Sequence, residues 1–151
     1  MTRIALGSDE VTPLTDELVA ALREGGHEVS LHGPPAGGGE EWVAASAAVG
    51  RAVAEGRAER GVVCCWSGTG ASIAANKVTG VRAALCLDPE TARMARRYNH
   101  ANVLALSLRL TSPPMGREIL AAFLEEPDGT DDFDRRNVAE LAALEADRPA
   151  T

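Results

Sequence analysis

Apolar and polar positions along this chain follow two rhythms. Short, largely apolar runs recur at Arg3-Ile4-Ala5-Leu6-Gly7-Ser8-Asp9, His27-Glu28-Val29-Ser30-Leu31, Gly61-Val62-Val63-Cys64, Val81-Arg82-Ala83-Ala84-Leu85-Cys86 and Asn102-Val103-Leu104-Ala105-Leu106. Runs of that length, bounded by glycine, proline or small polar residues, predict strands, and an unbroken apolar run predicts one covered on both faces. Between them apolar residues return every three or four positions, predicting helices over Pro13–Gly25, about 41–55, from Gly70 onward, Pro89–Arg97 and about 114–125. Thr12 before Pro13 reads as an N-cap, and Gly25-Gly26 as a stop. The second run is the most polar and belongs nearer a sheet edge. A flexible Gly33–Gly39 loop follows it. The charged linker Glu126-Pro127-Asp128-Gly129-Thr130-Asp131-Asp132 leads to a last amphipathic helix, Phe133 to Ala146, with no strand after it and a frayed tail beyond Asp147.

Strands separated by helices predict an α/β protein: a three-layer α/β/α, doubly wound, Rossmann-like five-stranded parallel sheet with an extra C-terminal helix. Residues 1–151 read as one domain. In such sheets ligands bind beyond the C-terminal strand ends. Asp9, Glu10, Cys65, Ser67 and the 98–100 segment are therefore expected to converge there.

Composition narrows the chemistry. Aromatics are only 3 %, so the core must be built from Ala, Val, Leu and Ile. A net charge of -7 with no Lys/Arg cluster argues against a nucleic-acid role. No apolar run approaches the roughly 20 residues of a membrane span, and no signal-type segment follows Met1. Cys64, Cys65 and Cys86 lack zinc-type spacing, and adjacent cysteines on a strand face opposite ways, so neither a disulfide nor a metal site is expected. Free thiols point to a reducing, cytoplasmic setting. Cys64 and Cys86 read as core, and His27 and His32 as solvent-facing.

The richest chemistry lies in Cys64-Cys65-Trp66-Ser67-Gly68-Thr69-Gly70-Ala71-Ser72-Ile73-Ala74-Ala75-Asn76-Lys77. A buried strand runs through a glycine-rich turn into a helix, whose first N–H groups have no partner within the helix and suit an anion or an enolate oxygen. Cys65 stands beside those donors. The dinucleotide fingerprint fails because Ile73 takes the place of its last glycine, and Lys77 follows Asn76 rather than the glycine of a phosphate loop. No Cys-x-x-Cys supports a thiol–disulfide role.

Several of these pieces together resemble one family. Gly7-Ser8-Asp9, Cys65 with Gly68 and Gly70, Ser72-Ile73-Ala74-Ala75-Asn76-Lys77, Arg82-Ala83-Ala84, Asn99, Asn102-Val103-Leu104-Ala105 and Arg109 occur in the order and spacing of the type-B ribose-5-phosphate isomerases and galactose-6-phosphate isomerase subunits. The resemblance implies aldose–ketose isomerisation of a sugar phosphate through a cis-enediolate, without metal or organic cofactor. It places Cys65 as the base, with Ser67 in proton relay and ring opening. Asp9 would hold substrate hydroxyls and Asn99 the enediolate, while the amides of Gly68, Thr69, Gly70, Ala71 and Ser72 would form the anion hole. Glu10, Tyr98, His100, Arg109, Arg135 and Arg136 are the further candidate substrate contacts. It also implies a homodimer or homotetramer with sites shared at a two-fold interface, where the last helix would lie.

The chain departs from that family at informative places. Glu10 follows Asp9 where a His is usual, and Tyr98 replaces the ring-opening His. Phe133-Asp134-Arg135-Arg136-Asn137 replaces an Arg-His-x-x-Arg phosphate clamp. Trp66 is bulkier than the usual residue after the base, and Trp42 replaces a Tyr near the sugar. His100 reads equally as a catalytic group or a surface residue. These changes imply a substrate altered from the usual pentose phosphate. The alternative is a non-catalytic sugar-phosphate binder or the inactive subunit of a hetero-oligomer.

Overall fold

All five apolar runs form strands, and every intervening amphipathic stretch forms a helix. The computed structural model describes residues 1–149. In chain order it contains β1 (Arg3–Ser8), α1 (Pro13–Glu24), β2 (Glu28–His32), α2 (Trp42–Ala54), β3 (Arg60–Cys65), α3 (Thr69–Asn76), β4 (Ala83–Leu85), α4 (Pro89–Asn99), β5 (Val103–Ser107), α5 (Pro113–Glu125) and α6 (Asp132–Ala146). The strands are parallel in the order β2-β1-β3-β5-β4. The chain leaves β1 toward β2, then returns past β1 to β3. That reversal opens a crevice at the C-terminal ends of β1 and β3, where Asp9 and Cys65 stand.

Side chains alternate across the strands and build two apolar layers. Leu14, Leu18 and Leu22 of α1, Ala92 and Ala95 of α4, and Ile119, Leu120 and Phe123 of α5 cover one face, with Cys64 beneath them. Val49 and Ala52 of α2 and Ala71 and Ala75 of α3 cover the other, with Cys65 beneath. Each fully buried Leu or Phe contributes about 1.5–3 kcal/mol. Thr12 caps α1 in a reciprocal box, accepting the Thr15 N–H at 3.3 Å while its own N–H reaches Thr15 Oγ1 at 2.8 Å.

Three expectations shift. The fourth strand shrinks to Ala83–Leu85 because side chains intercept its entry. Arg82 N–H donates to Asn102 Oδ1 and Ala83 N–H to Asn76 Oδ1, both at 2.8 Å, while Asn76 Nδ2 returns a bond to Ala83 O at 2.9 Å. His27 and His32 are half-buried rather than solvent-facing, and burial together with nearby Arg57 lowers the pKa of His32. The Gly33–Gly39 loop contains a 3-10 turn over Pro34–Ala36. Part of the tail expected to fray, residues 150–151, lies outside the described residues.

The last helix stands apart from both layers. None of its residues is buried, and Phe133, Leu141 and Leu144 are exposed. Glu145 ties it to the body by accepting the Gly80 N–H at 2.8 Å. Between α6 and the edge strand lies a groove of about 420 Å³, lined among others by Arg82, Ala83, Asn99, Leu141 and Leu144. No described helix is long and apolar enough to cross a membrane.

Candidate active site

Cys65 is the last residue of β3 and is 5 % exposed. The chain must turn at once to begin α3, and Gly68 makes the turn with φ +78°, its N–H donating to Cys65 O at 3.2 Å. A side chain at position 68 would also strike Leu85 and Leu106. The turn folds the first turn of α3 back over the strand end, and Ala71 N–H donates to Cys65 Sγ at 3.4 Å. Cys64, one residue earlier, points into the opposite layer, where burial and the nearby Cys65 and Asp9 push its pKa up to about 12. Burial and Asp88 push Cys86 to about 12 as well.

The expected anion hole is smaller than its sequence span. Gly68 N–H is spent on Cys65 O, Ala71 N–H on Cys65 Sγ, and Ser72 N–H on Gly68 O at 3.1 Å. Gly68, Ala71 and Ser72 therefore shape the turn rather than offer donors. The amides of Thr69 and Gly70 find no acceptor among the described residues. Ser67 Oγ and Thr69 Oγ1 lie 2.6 Å apart at the mouth of this turn, and both residues are exposed.

Neighbouring strands set the rim. Asp9 follows β1, and its Oδ1 is buried without a hydrogen-bond partner among the described residues. Buried polar atoms are almost always paired, so this oxygen is ready for a donor from a ligand. Ser8 Oγ accepts the Glu10 N–H at 3.2 Å and turns the chain, leaving Glu10 exposed. Ser107 Oγ donates to Trp66 O at 3.0 Å, Leu108 N–H to Cys65 O and Arg109 N–H to Trp66 O, both at 2.9 Å. These bonds staple the Cys65–Trp66 segment to the end of β5 and leave the Arg109 side chain exposed beside it. The six-membered ring of Trp42 lies against Gly70, so close that a Cβ there would stand 2.9 Å from Trp42 Cε3.

The 98–100 segment does not converge with Cys65 within one chain. A helix joining parallel strands must run back along the sheet, so α4 ends at the edge where strands begin. Tyr98 and Asn99 close α4, and His100 caps it with φ +48°. His100 O accepts from Arg82 Nε at 2.9 Å at the entry to β4, and His100 Nε2 bonds Gly129 O at 3.0 Å. His100 is thus engaged in holding the linker. Arg135 and Arg136 are exposed on the first turn of α6, whose next residues share a cleft with Tyr98 and Asn99. The candidate residues therefore fall into two groups within the chain. Asp9, Glu10, Cys65, Ser67, Thr69, Gly70 and Arg109 occupy one end of the sheet, and Tyr98, Asn99, Arg135 and Arg136 the other.

Sequence reasoning missed Ser107 and Asn76, which have no chemistry of their own and act by fixing backbone. It also missed Arg96, a charge on the apolar stripe of α4 beside Ala92 and Ala95, and that placement was the available signal.

The chain is similar to several known proteins. The model of the Ribose/Galactose Isomerase family matches residues 4–141. Ribose-5-phosphate isomerase B of Escherichia coli strain K12 is 38 % identical over 125 residues, covering 82 % of this chain and 84 % of its own. D-erythrulose-4-phosphate isomerase of Pectobacterium atrosepticum is 34 % identical over 127 residues, covering 83 % and 84 %. The structure of Trypanosoma brucei type B ribose 5-phosphate isomerase superposes with a TM-score of 0.87 at 40 % identity, covering 95 % of this chain and 99 % of that one.

Proposed function

The chain belongs to the ribose/galactose isomerase family, and from that premise we propose that it interconverts the aldose and ketose forms of a short sugar phosphate with Cys65 as the proton carrier. The observation that supports this most is Cys65 Sγ receiving the Ala71 N–H at 3.4 Å, next to two unspent amides. The Cys65 thiolate takes the proton from the carbon alpha to the carbonyl, and the electron pair moves onto the carbonyl oxygen to give a cis-enediolate. The amides of Thr69 and Gly70 hold that oxygen where charge develops. The thiol so formed, whose proton exchanges with solvent while the enediolate lives, delivers a proton to the neighbouring carbon. The hydroxyl proton meanwhile passes between the two oxygens, a task for the Ser67–Thr69 hydroxyl pair, with Asp9 Oδ1 holding a substrate hydroxyl.

A single chain, acting as one domain, offers these contacts but leaves Tyr98, Asn99, Arg135 and Arg136 at the far end of the sheet. A homodimer with a two-fold axis brings Tyr98, Asn99, Arg135 and Arg136 of one copy to the Cys65 end of the other. The exposed apolar residues of α6 and the groove beneath it suit that contact.

The substrate we favour is a four-carbon sugar phosphate. With its terminal hydroxyl esterified, such an aldose cannot close a five-membered ring, so no ring-opening base is needed where Tyr98 stands. The Pectobacterium relative is named for a four-carbon substrate. The test is a panel of four- to six-carbon sugar phosphates in D2O, followed by alpha-proton exchange. Exchange should be fastest with the tetrose phosphate and absent in Cys65→Ala. Equal exchange in that variant would remove Cys65 as the base, and binding without any exchange would make the protein a sugar-phosphate binder.

A further inference from the structure

The C-terminal end of α4 is tied to the α5–α6 linker by a knot of bonds that helix packing alone does not require. Arg96, 2 % exposed, lies on the apolar stripe of α4 with its guanidinium 5.6 Å from the centre of the Phe123 ring. Its Nε donates to Glu126 O at 3.1 Å, Nη1 donates to Ala101 O, and Nη2 pairs with Asp128 at 2.8 Å. Arg97 Nε pairs with Glu126 at 2.8 Å, Arg97 O accepts the Gly129 N–H at 3.0 Å, and His100 Nε2–H donates to Gly129 O. Gly129 sits so close that a Cβ there would strike Arg97 O.

Burying a cation against a half-exposed carboxylate is a poor source of stability. What these bonds do specify is geometry. On one side of the knot stand Tyr98 and Asn99; on the other the chain leaves for α6 and its Arg135 and Arg136. We infer that the Arg96–Asp128–Gly129 knot is a positioning device. It holds the two segments in one register, so that their four side chains enter the neighbouring copy's site as a unit. Arg96, Asp128 and Gly129 are positioning residues and touch no substrate themselves. The inference rests on the shared two-fold site proposed above.

The test uses the full chain carrying Asp128→Asn or Gly129→Ala. Each variant should remain a folded dimer yet lose kcat/KM, on the order of 100-fold for a displacement near 1 Å. The readout that a merely structural role would not move is subunit complementation. Gly129→Ala has an intact Cys65 half, and Cys65→Ala has an intact α4–α6 half. Co-expressed under two tags and purified through both, the mixed dimer should regain about half of the wild-type rate, because one of its two sites is whole. A parallel mixture of Asn99→Ala with Cys65→Ala tests the shared site without touching the knot. Recovery there but not with Gly129→Ala overturns the knot alone. Failure of both mixtures overturns the shared site and the knot with it. Full activity in both knot variants also overturns the inference, and if Gly129→Ala does not fold, Asp128→Asn decides it.

Discussion

Ala71 donates its backbone N–H to Cys65 Sγ at 3.4 Å, back across the turn that joins β3 to α3. Among the described residues neither Cys64 nor Cys86 has such a donor, and burial pushes both thiols up to about 12. At pH 8 only about one in 10,000 of those thiols is ionised, and the thiolate is the reactive form. Iodoacetamide should therefore label Cys65 selectively in the folded protein, with Cys64 and Cys86 labelled only after unfolding. Peptide mass mapping reads the outcome. Comparable labelling of Cys64 in the native protein would refute the assignment of separate environments.

Gly70 is the position at which the Trp42 ring meets the turn after Cys65. In Gly70→Ala the new methyl must push the ring away. Because Trp42 is 41 % exposed, the ring can move, and better helix propensity offsets part of the strain. Stability should change by less than about 1 kcal/mol, while KM for the sugar phosphate rises several-fold and tryptophan emission shifts to the red. An unchanged KM would mean that Trp42 does not line the substrate path.

How much of this was legible beforehand depends on the range of the interaction concerned. The five strands, the stop of the first helix at Gly25 and the opposite facing of Cys64 and Cys65 follow from local periodicity, although the fourth strand is shorter than its apolar run and α4 runs on to Asn99. The split of the candidate site does not follow from periodicity. Tyr98 and Asn99 looked like partners of Cys65 because all are polar residues at element ends. Whether an end lies at the top or bottom of the sheet depends on strand direction, and α4 runs the wrong way. Which amides remain free was hidden for a similar reason. Gly68, Ala71 and Ser72 are spent by the fold of the turn itself, which only coordinates reveal.

Asn76 closes the open side of β4 by exchanging two hydrogen bonds with the Ala83 backbone, at 2.9 and 2.8 Å. The side chain acts there as a neighbouring strand would. In Asn76→Ala both backbone groups lose their partner while half-buried. Two such bonds are worth about 1–3 kcal/mol together. Urea unfolding should show a loss in that range, with faster amide exchange at Ala83. Asn76→Asp should restore only the bond that Oδ1 accepts. A variant as stable as the parent would show that water replaces the side chain without cost.

His32 ends β2 half-buried, and burial followed by the charge of Arg57 lowers its pKa, with Glu40 opposing. The unfolded chain should protonate this imidazole near its ordinary pKa of about 6.5, whereas the folded chain does so only at lower pH. As pH falls below about 6.5 the unfolded state therefore binds the proton first, and stability declines until the folded pKa is passed. Above about pH 7 the stabilising effect of the neutral ring is complete. Urea denaturation at pH 7.5 and pH 5.5 should show the parent losing stability at the lower pH. His32→Gln, which cannot titrate, should lose measurably less between the same two conditions. Identical losses in both proteins would place the acid sensitivity elsewhere in the fold.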